Sequence, residues 1–228
     1  MDGMACSLVL RERNVRGSRL GAVASALCLP SLAALADAFP SRTDIQHGEI
    51  ERILQDRFGL QQSSPVLQEL CTILSLSGRV SARHSASRAE IVAGMALFCP
   101  GTKSQKLSHV FELFAEHETS GDLHVHTHRK PRLSHRSLWK FLRAFLCPLL
   151  VISYTSCNAA SSGQEAARAR AVADAAAAAC AARVLKDLAR GDDTQTSGIT
   201  FDAFAQWYND GGHTSSSWLE LLDIRKWN

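Results

Sequence analysis

The chain has no C-x-x-C pair, no H-E-x-x-H, no G-x-S-x-G and no glycine-rich phosphate loop of the P-loop or Rossmann kind. Without these scaffolds no enzyme class has a recognisable framework, and lone Ser, His and Asp residues are not placed for catalysis. The chain is expected to be a non-enzyme. The charged fraction, 21% of the 228 residues, is ordinary, but the net charge is only +3 and there is no Lys/Arg block interleaved with aromatics. The electrostatic footprint of a nucleic-acid binder is therefore missing. No apolar run suits a membrane span: the best, LGAVASALCLPSLAALADAF, is Ala-rich and broken by Pro30. The cysteines are odd in number, seven, and most have apolar neighbours. That pattern fits buried thiols in a reducing compartment better than a disulfide frame.

No stretch shows sustained strand alternation, whereas apolar residues recur at helical spacing through most of the chain. One stripe is Ile50, Ile53, Leu54 and Phe58, and another is Leu67, Leu70 and Leu74. Ile91, Met95 and Phe98 form a third, then Leu107, Val110, Phe111 and Phe114, then Leu138, Phe141, Leu142 and Phe145. Val184, Leu185 and Leu188, then Phe201, Phe204, Trp207 and Tyr208, complete the set. The expected class is all-α. The helices pair across polar loops: 30–39 with 46–58, 65–76 with 88–98, 105–115 with 134–150, and 180–190 with 200–209. This looks like an internal repeat of helix–loop–helix units. CPGTKSQK has linker composition. In residues 155–183 the first part reads as a flexible connector and the Ala-rich part as helical by propensity, and the stretch reads as a low-complexity insertion.

At the N-terminus, Arg11, Arg13, Arg16 and Arg19 precede the Ala-rich run, which also suits a signal or transit peptide. Periodicity favours a helix over 30–39, with Ser31 in its first turn and Leu32, Leu35 and Phe39 on one face. Residues 1–29 are then a disordered tail or a targeting segment, and a cytoplasmic location is expected unless that segment redirects the chain.

The segments AEIVAGMALFCPGTKSQKLSHVFELF at 89–114, SHRSLWKFLRAFL at 134–146 and SGITFDAFAQWYNDGG at 197–212 resemble the EF-hand superfamily. The first is similar to an exiting helix, a short linker and the next entering helix. The last is similar to the G-I-S-F-E-E-F loop exit. The layout resembles calmodulin and, more closely, the neuronal calcium-sensor and calcineurin-B-like proteins. The resemblance implies two lobes of paired EF-hand helix–loop–helix units: 30–99, and 100–212 with insertions at 124–132 and 155–179. It also implies calcium as cofactor and an apolar groove that receives an amphipathic helix or peptide of another protein. The groove would be lined by Phe111, Phe114, Phe141, Phe145, Phe204 and Trp207. The amphipathic segment 213–228, through WLELLDIRKW, would fill that groove itself or act as a docking segment.

An EF-hand loop supplies oxygens from positions 1, 3, 5, 7, 9 and 12, with Gly at 6 and a bidentate Glu at 12. Against that pattern the fourth loop, with Ile199 at the apolar position, places Asp192, Thr194 and Thr196 at positions 1, 3 and 5. Ser197 replaces the turn Gly and Ala203 the bidentate Glu. The third loop, with Leu123 as the apolar position, places Glu116, Glu118 and Ser120 as ligands, followed by Gly121. Its exit resumes only at Leu133, which leaves Thr127 or Ser137 at the twelfth position. The second loop keeps Ser87 and Glu90, which equally form an S-x-x-E capping box, and has Arg79 and Ser81 early. The first matches only at Ile45 and Glu49. With so few carboxylates, calcium binding through Glu116, Glu118, Ser120, Asp192, Thr194 and Thr196 is expected to be weak or absent.

Two alternatives stand beside this. His124, His126 and His128 alternate, so in an extended segment they share one face and offer three nitrogens to zinc or copper, with His117 and His135 at the loop's ends. The adjoining Arg129, Lys130 and Pro131 favour a solvated insertion instead. The other alternative is a structural interaction module that needs no metal.

Overall fold

The computed structural model describes residues 31–41, 45–59, 74, 85–119, 130–157, 163–189 and 198–222, with backbone alone for 85, 116–119, 151–157 and 163–166. Helix α1 spans Leu32–Ala38, and Ser31 caps it rather than lying in its first turn: the hydroxyl accepts from Ala34 N–H at 3.4 Å. Strand β1 is Ile45–Gln46 and runs into α2, His47–Phe58. Gly59 ends α2 in the left-handed region at φ 65°, where a side chain is strained. Of the expected helix over 65–76 only Leu74 is described, and it is buried.

Strand β2, Ser85–Ala86, leads into α3, Arg88–Ala96. A complete capping box opens α3: Glu90 N–H donates to Ser87 Oγ at 3.2 Å and Ser87 N–H donates to Glu90 Oε2 at 2.9 Å. Helix α4, Lys103–Thr119, begins inside the segment that has linker composition. Strand β3, Arg132–Leu133, precedes α5, His135–Cys157. Helix α6 is Gly163–Leu188, and β4, Ile199–Thr200, opens α7, Phe201–Trp207, with Thr200 as its N-cap. A wide turn over Tyr208–Gly212 and a 3₁₀ segment, Ser217–Leu222, follow.

The protein is all-α. Strand is confined, among the described residues, to four two-residue pieces. They form two antiparallel ladders, Ile45 opposite Ala86 and Leu133 opposite Ile199. Each ladder joins the loops ahead of two helices, α2 with α3 and α5 with α7. Next to the second, Gly198 sits at φ 80°, and a Cβ there would lie 2.7 Å from the Leu133 carbonyl oxygen.

The buried residues from Leu32 to Leu222 make one continuous hydrophobic cluster. Helix α5 is its centre, with α3 against one side and α6 along another. The α3 contact is close: a Cβ on Gly94 would stand 3.3 Å from Pro148 Cγ and 2.8 Å from Leu74 Cδ2. The α6 contact corrects the low-complexity reading of 155–179. Residues 155–157 finish α5, and 163–179 belong to the same unbroken helix as 180–188. Ala169, Ala173, Ala177 and Ala181, at four-residue spacing, are fully buried. Small side chains on one face let two helix backbones approach and interlock. Arg143 on α5 pairs with Asp174 of α6, and the Trp139 indole N–H donates to the Asp174 carbonyl at 3.3 Å.

Candidate functional site

The calcium ligands expected from the sequence fall almost wholly outside the described residues: Ser120, Asp192, Thr194 and Thr196 are not among them, nor are His124, His126 and His128. Glu116 and Glu118 stand on the last turns of α4, where the backbone alone is described. Among the described residues no three His, Cys, Asp or Glu side chains gather to hold a metal ion. Four candidates for the twelfth loop position are described, Glu49, Glu90, Ser137 and Ala203. The Glu90 carboxylate accepts from the Ser87 backbone N–H and hydroxyl, at 2.9 and 2.8 Å. Ser137 lies in the first turn of α5, its N–H donating to Ser134 Oγ, and Ala203 offers no side-chain oxygen. Ser137 and Ala203 offer no carboxylate there, whereas Glu90 offers one that its capping box engages. Glu49, at the end of the first loop, lines a shallow cleft of about 380 Å³ between α1 and α2 with Asp37, Arg52, Asp56 and Arg57. Arg52 and Asp56 there form an exposed pair at 3.6 Å.

The six residues expected to line an apolar groove are interior in the structure. Phe111, Phe141 and Phe145 are fully buried, and Phe114, Phe204 and Trp207 are nearly so. Phe141 is the hub, meeting Phe111, Phe114, Phe145 and Phe204 edge-on with centroids 5.4–6.1 Å apart. This is the favoured geometry for ring quadrupoles. Trp207 stacks on Phe204 and donates its indole N–H to Asp187 Oδ2 at 3.1 Å.

The chain's own C-terminal part packs into the same cluster. Trp218, Leu219, Leu221 and Leu222 are all buried, and the 3₁₀ segment that carries them lies against α4. Polar contacts seat it at three places. Ser216 Oγ lies 3.0 Å from Cys180 Sγ on α6. The Glu220 carboxylate pairs with Lys103 Nζ and accepts from the Tyr208 hydroxyl at 2.5 Å, while Lys103 Nζ also sits 4.3 Å from the Tyr208 ring centroid. Lys106 is completely buried, and its Nζ donates to the Leu222 carbonyl at 2.9 Å and the Leu97 carbonyl at 3.4 Å. Burial first, and then the Glu220 carboxylate, hold the Tyr208 phenol well above its ordinary range. Burial likewise pushes the Cys99 thiol up to about 12, against the opposing pull of Lys106.

The wide turn over Tyr208–Gly212 points the chain back onto α4. Gly211 takes φ 124°, and Gly212 lies against the Trp207 ring, where a Cβ would come within 2.7 Å of Cδ2. Sequence periodicity places Tyr208 in the apolar set but passes over Lys103, Lys106 and Glu220. One signal is present. Lys106 stands four and eight residues before Val110 and Phe114, on the apolar stripe of α4, where an amine needs a partner inside the fold.

No protein-family model matches the chain, and neither a curated protein nor a solved structure matches it.

Proposed function

We propose that the protein is a divergent EF-hand-type interaction module. It receives an amphipathic helix or peptide in an apolar site, which its own C-terminal segment fills in the absence of a partner. The observation that carries this reading is the seated 3₁₀ segment, with its apolar residues buried and its polar contacts made to α4, α6 and Tyr208. Amphipathic segments bind grooves through such anchors at helical spacing. The EF-hand reading is supported by the two ladders, which pair Ile45 with Ala86 and Leu133 with Ile199 as apolar residues pair two calcium loops, so that Leu133 rather than Leu123 would hold the third loop's apolar position. The loop sequences carry few carboxylates, so in this reading the module works without the ion. What remains of the chemistry is the burial of apolar faces, which ligand loss leaves intact.

Replacing Leu219 by Asp tests the reading. The buried carboxylate should expel the segment, so that an apolar-binding dye brightens several-fold while far-UV circular dichroism keeps the helical signal. Loss of the helical signal would show the segment to be an integral part of the core and would sink the proposal. Calorimetry on the full chain separates the metal question. Calcium heat abolished by Glu116→Gln or Asp192→Asn would restore a sensor role. Zinc heat that disappears on replacing His124, His126 and His128 would assign the histidine insertion.

A further inference from the structure

We infer that the site selects an acidic amphipathic segment, one carrying a carboxylate two residues after an aromatic anchor and presenting a main-chain carbonyl that the α4 lysine takes. This rests on the reading of the seated segment as a stand-in for a partner. The cradle is made of two lysines one turn apart on α4 and a phenol from the turn after α7. Lys103 Nζ and the Tyr208 hydroxyl both meet one carboxylate oxygen of Glu220, and Lys103 in turn lies over the Tyr208 ring. The Lys103 side chain is 24% exposed and that of Glu220 is 36% exposed, so the pair sits at the rim, where entering charge is read. Behind it Lys106, with no exposed surface, donates to the backbone carbonyl of Leu222. A buried amine aimed at a main-chain carbonyl accepts any side chain at that position. Trp218, two residues before Glu220, is the aromatic that such an anchor would mimic. A basic segment entering the same site would bring a cation against Lys103 in a part-desolvated place, and like charges there are strongly disfavoured.

The full chain with Leu219→Asp is the receiver, and labelled peptides with the sequence of residues 213–228 are the probes. The unaltered full chain should bind them poorly, because its tethered segment competes at an effective concentration on the order of millimolar. On the receiver, a peptide with Lys in place of Glu220 should bind about tenfold more weakly than the parent, the scale of a single charge-assisted hydrogen bond. Adding Lys103→Glu to the receiver should reverse that preference, which a purely structural role of Lys103 does not do. Equal binding of the two peptides overturns acid selection and leaves the apolar site standing. No binding of either peptide to a receiver that keeps its helical signal overturns both. If Leu219→Asp loses its helical signal, the segment is an integral part of the core, and acid selection falls together with the reading it rests on.

Discussion

At the residue scale, the most constrained positions flank the turn that brings the chain back over α4. Gly212 has the Trp207 ring where a Cβ would sit, with three ring carbons within 2.8 Å. Gly212→Ala should therefore cost about 1–3 kcal/mol, the range for forcing extra atoms into a packed site, as read by urea denaturation. Cys99 makes a prediction in pH. Its folded-state value is raised from 9.0 to about 12. The stability tied to the neutral thiol is therefore fully present below pH 9.0 and is lost as pH climbs towards 12. Tyr208 is shifted in the same direction and adds to the fall. Melting temperature should drop across that alkaline window, and Cys99→Ala should make the drop shallower. A melting temperature flat across the window would refute the assignment. Capping residues are the residue-scale feature most legible without a structure. Ser87 and Glu90 follow the S-x-x-E pattern and form it, because the pattern needs only neighbours in sequence. Removing the Ser87 hydroxyl should cost about 1 kcal/mol in thermal or urea unfolding.

At the element scale, α6 departs furthest from expectation. Its alanines are indistinguishable by type, yet four are buried against α5 while Ala175 and Ala179 face solvent. Ala177→Leu should destabilise by about 1–3 kcal/mol, since the larger side chain must separate two closely packed backbones. Ala175→Leu, on the exposed face of the same helix, should fall within about 0.5 kcal/mol of the parent. Similar costs for the two would return the segment to the status of an insertion. Helical propensity is written in an Ala-rich run, but its burial is not. Periodicity needs a contrast between apolar and polar residues to show which face turns inwards, and alanine supplies little. In α4 the stripe is clear because Leu107, Val110, Phe111 and Phe114 stand out from their neighbours. The short ladders are half legible. Ile45 and Ile199 are marked in sequence as the residues that pair two loops, whereas their partners Ala86 and Leu133 depend on which loops meet.

At the scale of the whole molecule, the buried residues form one continuous cluster. Buried residues from both halves of the chain touch through α3, α4 and α5, with no solvated break among the described residues. Differential scanning calorimetry should accordingly give one unfolding transition with equal calorimetric and van't Hoff enthalpies. Two resolved transitions would indicate independent lobes. No helix among the described residues is long and apolar enough to cross a membrane. The amino-acid sequence alone determined the all-α class and the positions of most helices. These follow from local propensity, apolar spacing and residue type, all of which can be read along one dimension. Only the tertiary structure decided that Phe111, Phe141 and Phe204 are interior, that the alanines of α6 are core, and that Lys103, Lys106 and Tyr208 converge on the C-terminal segment. The physical reason is separation along the chain. Lys106 and Leu222 are 116 residues apart, and their hydrogen bond exists only after the apolar faces between them have been buried together.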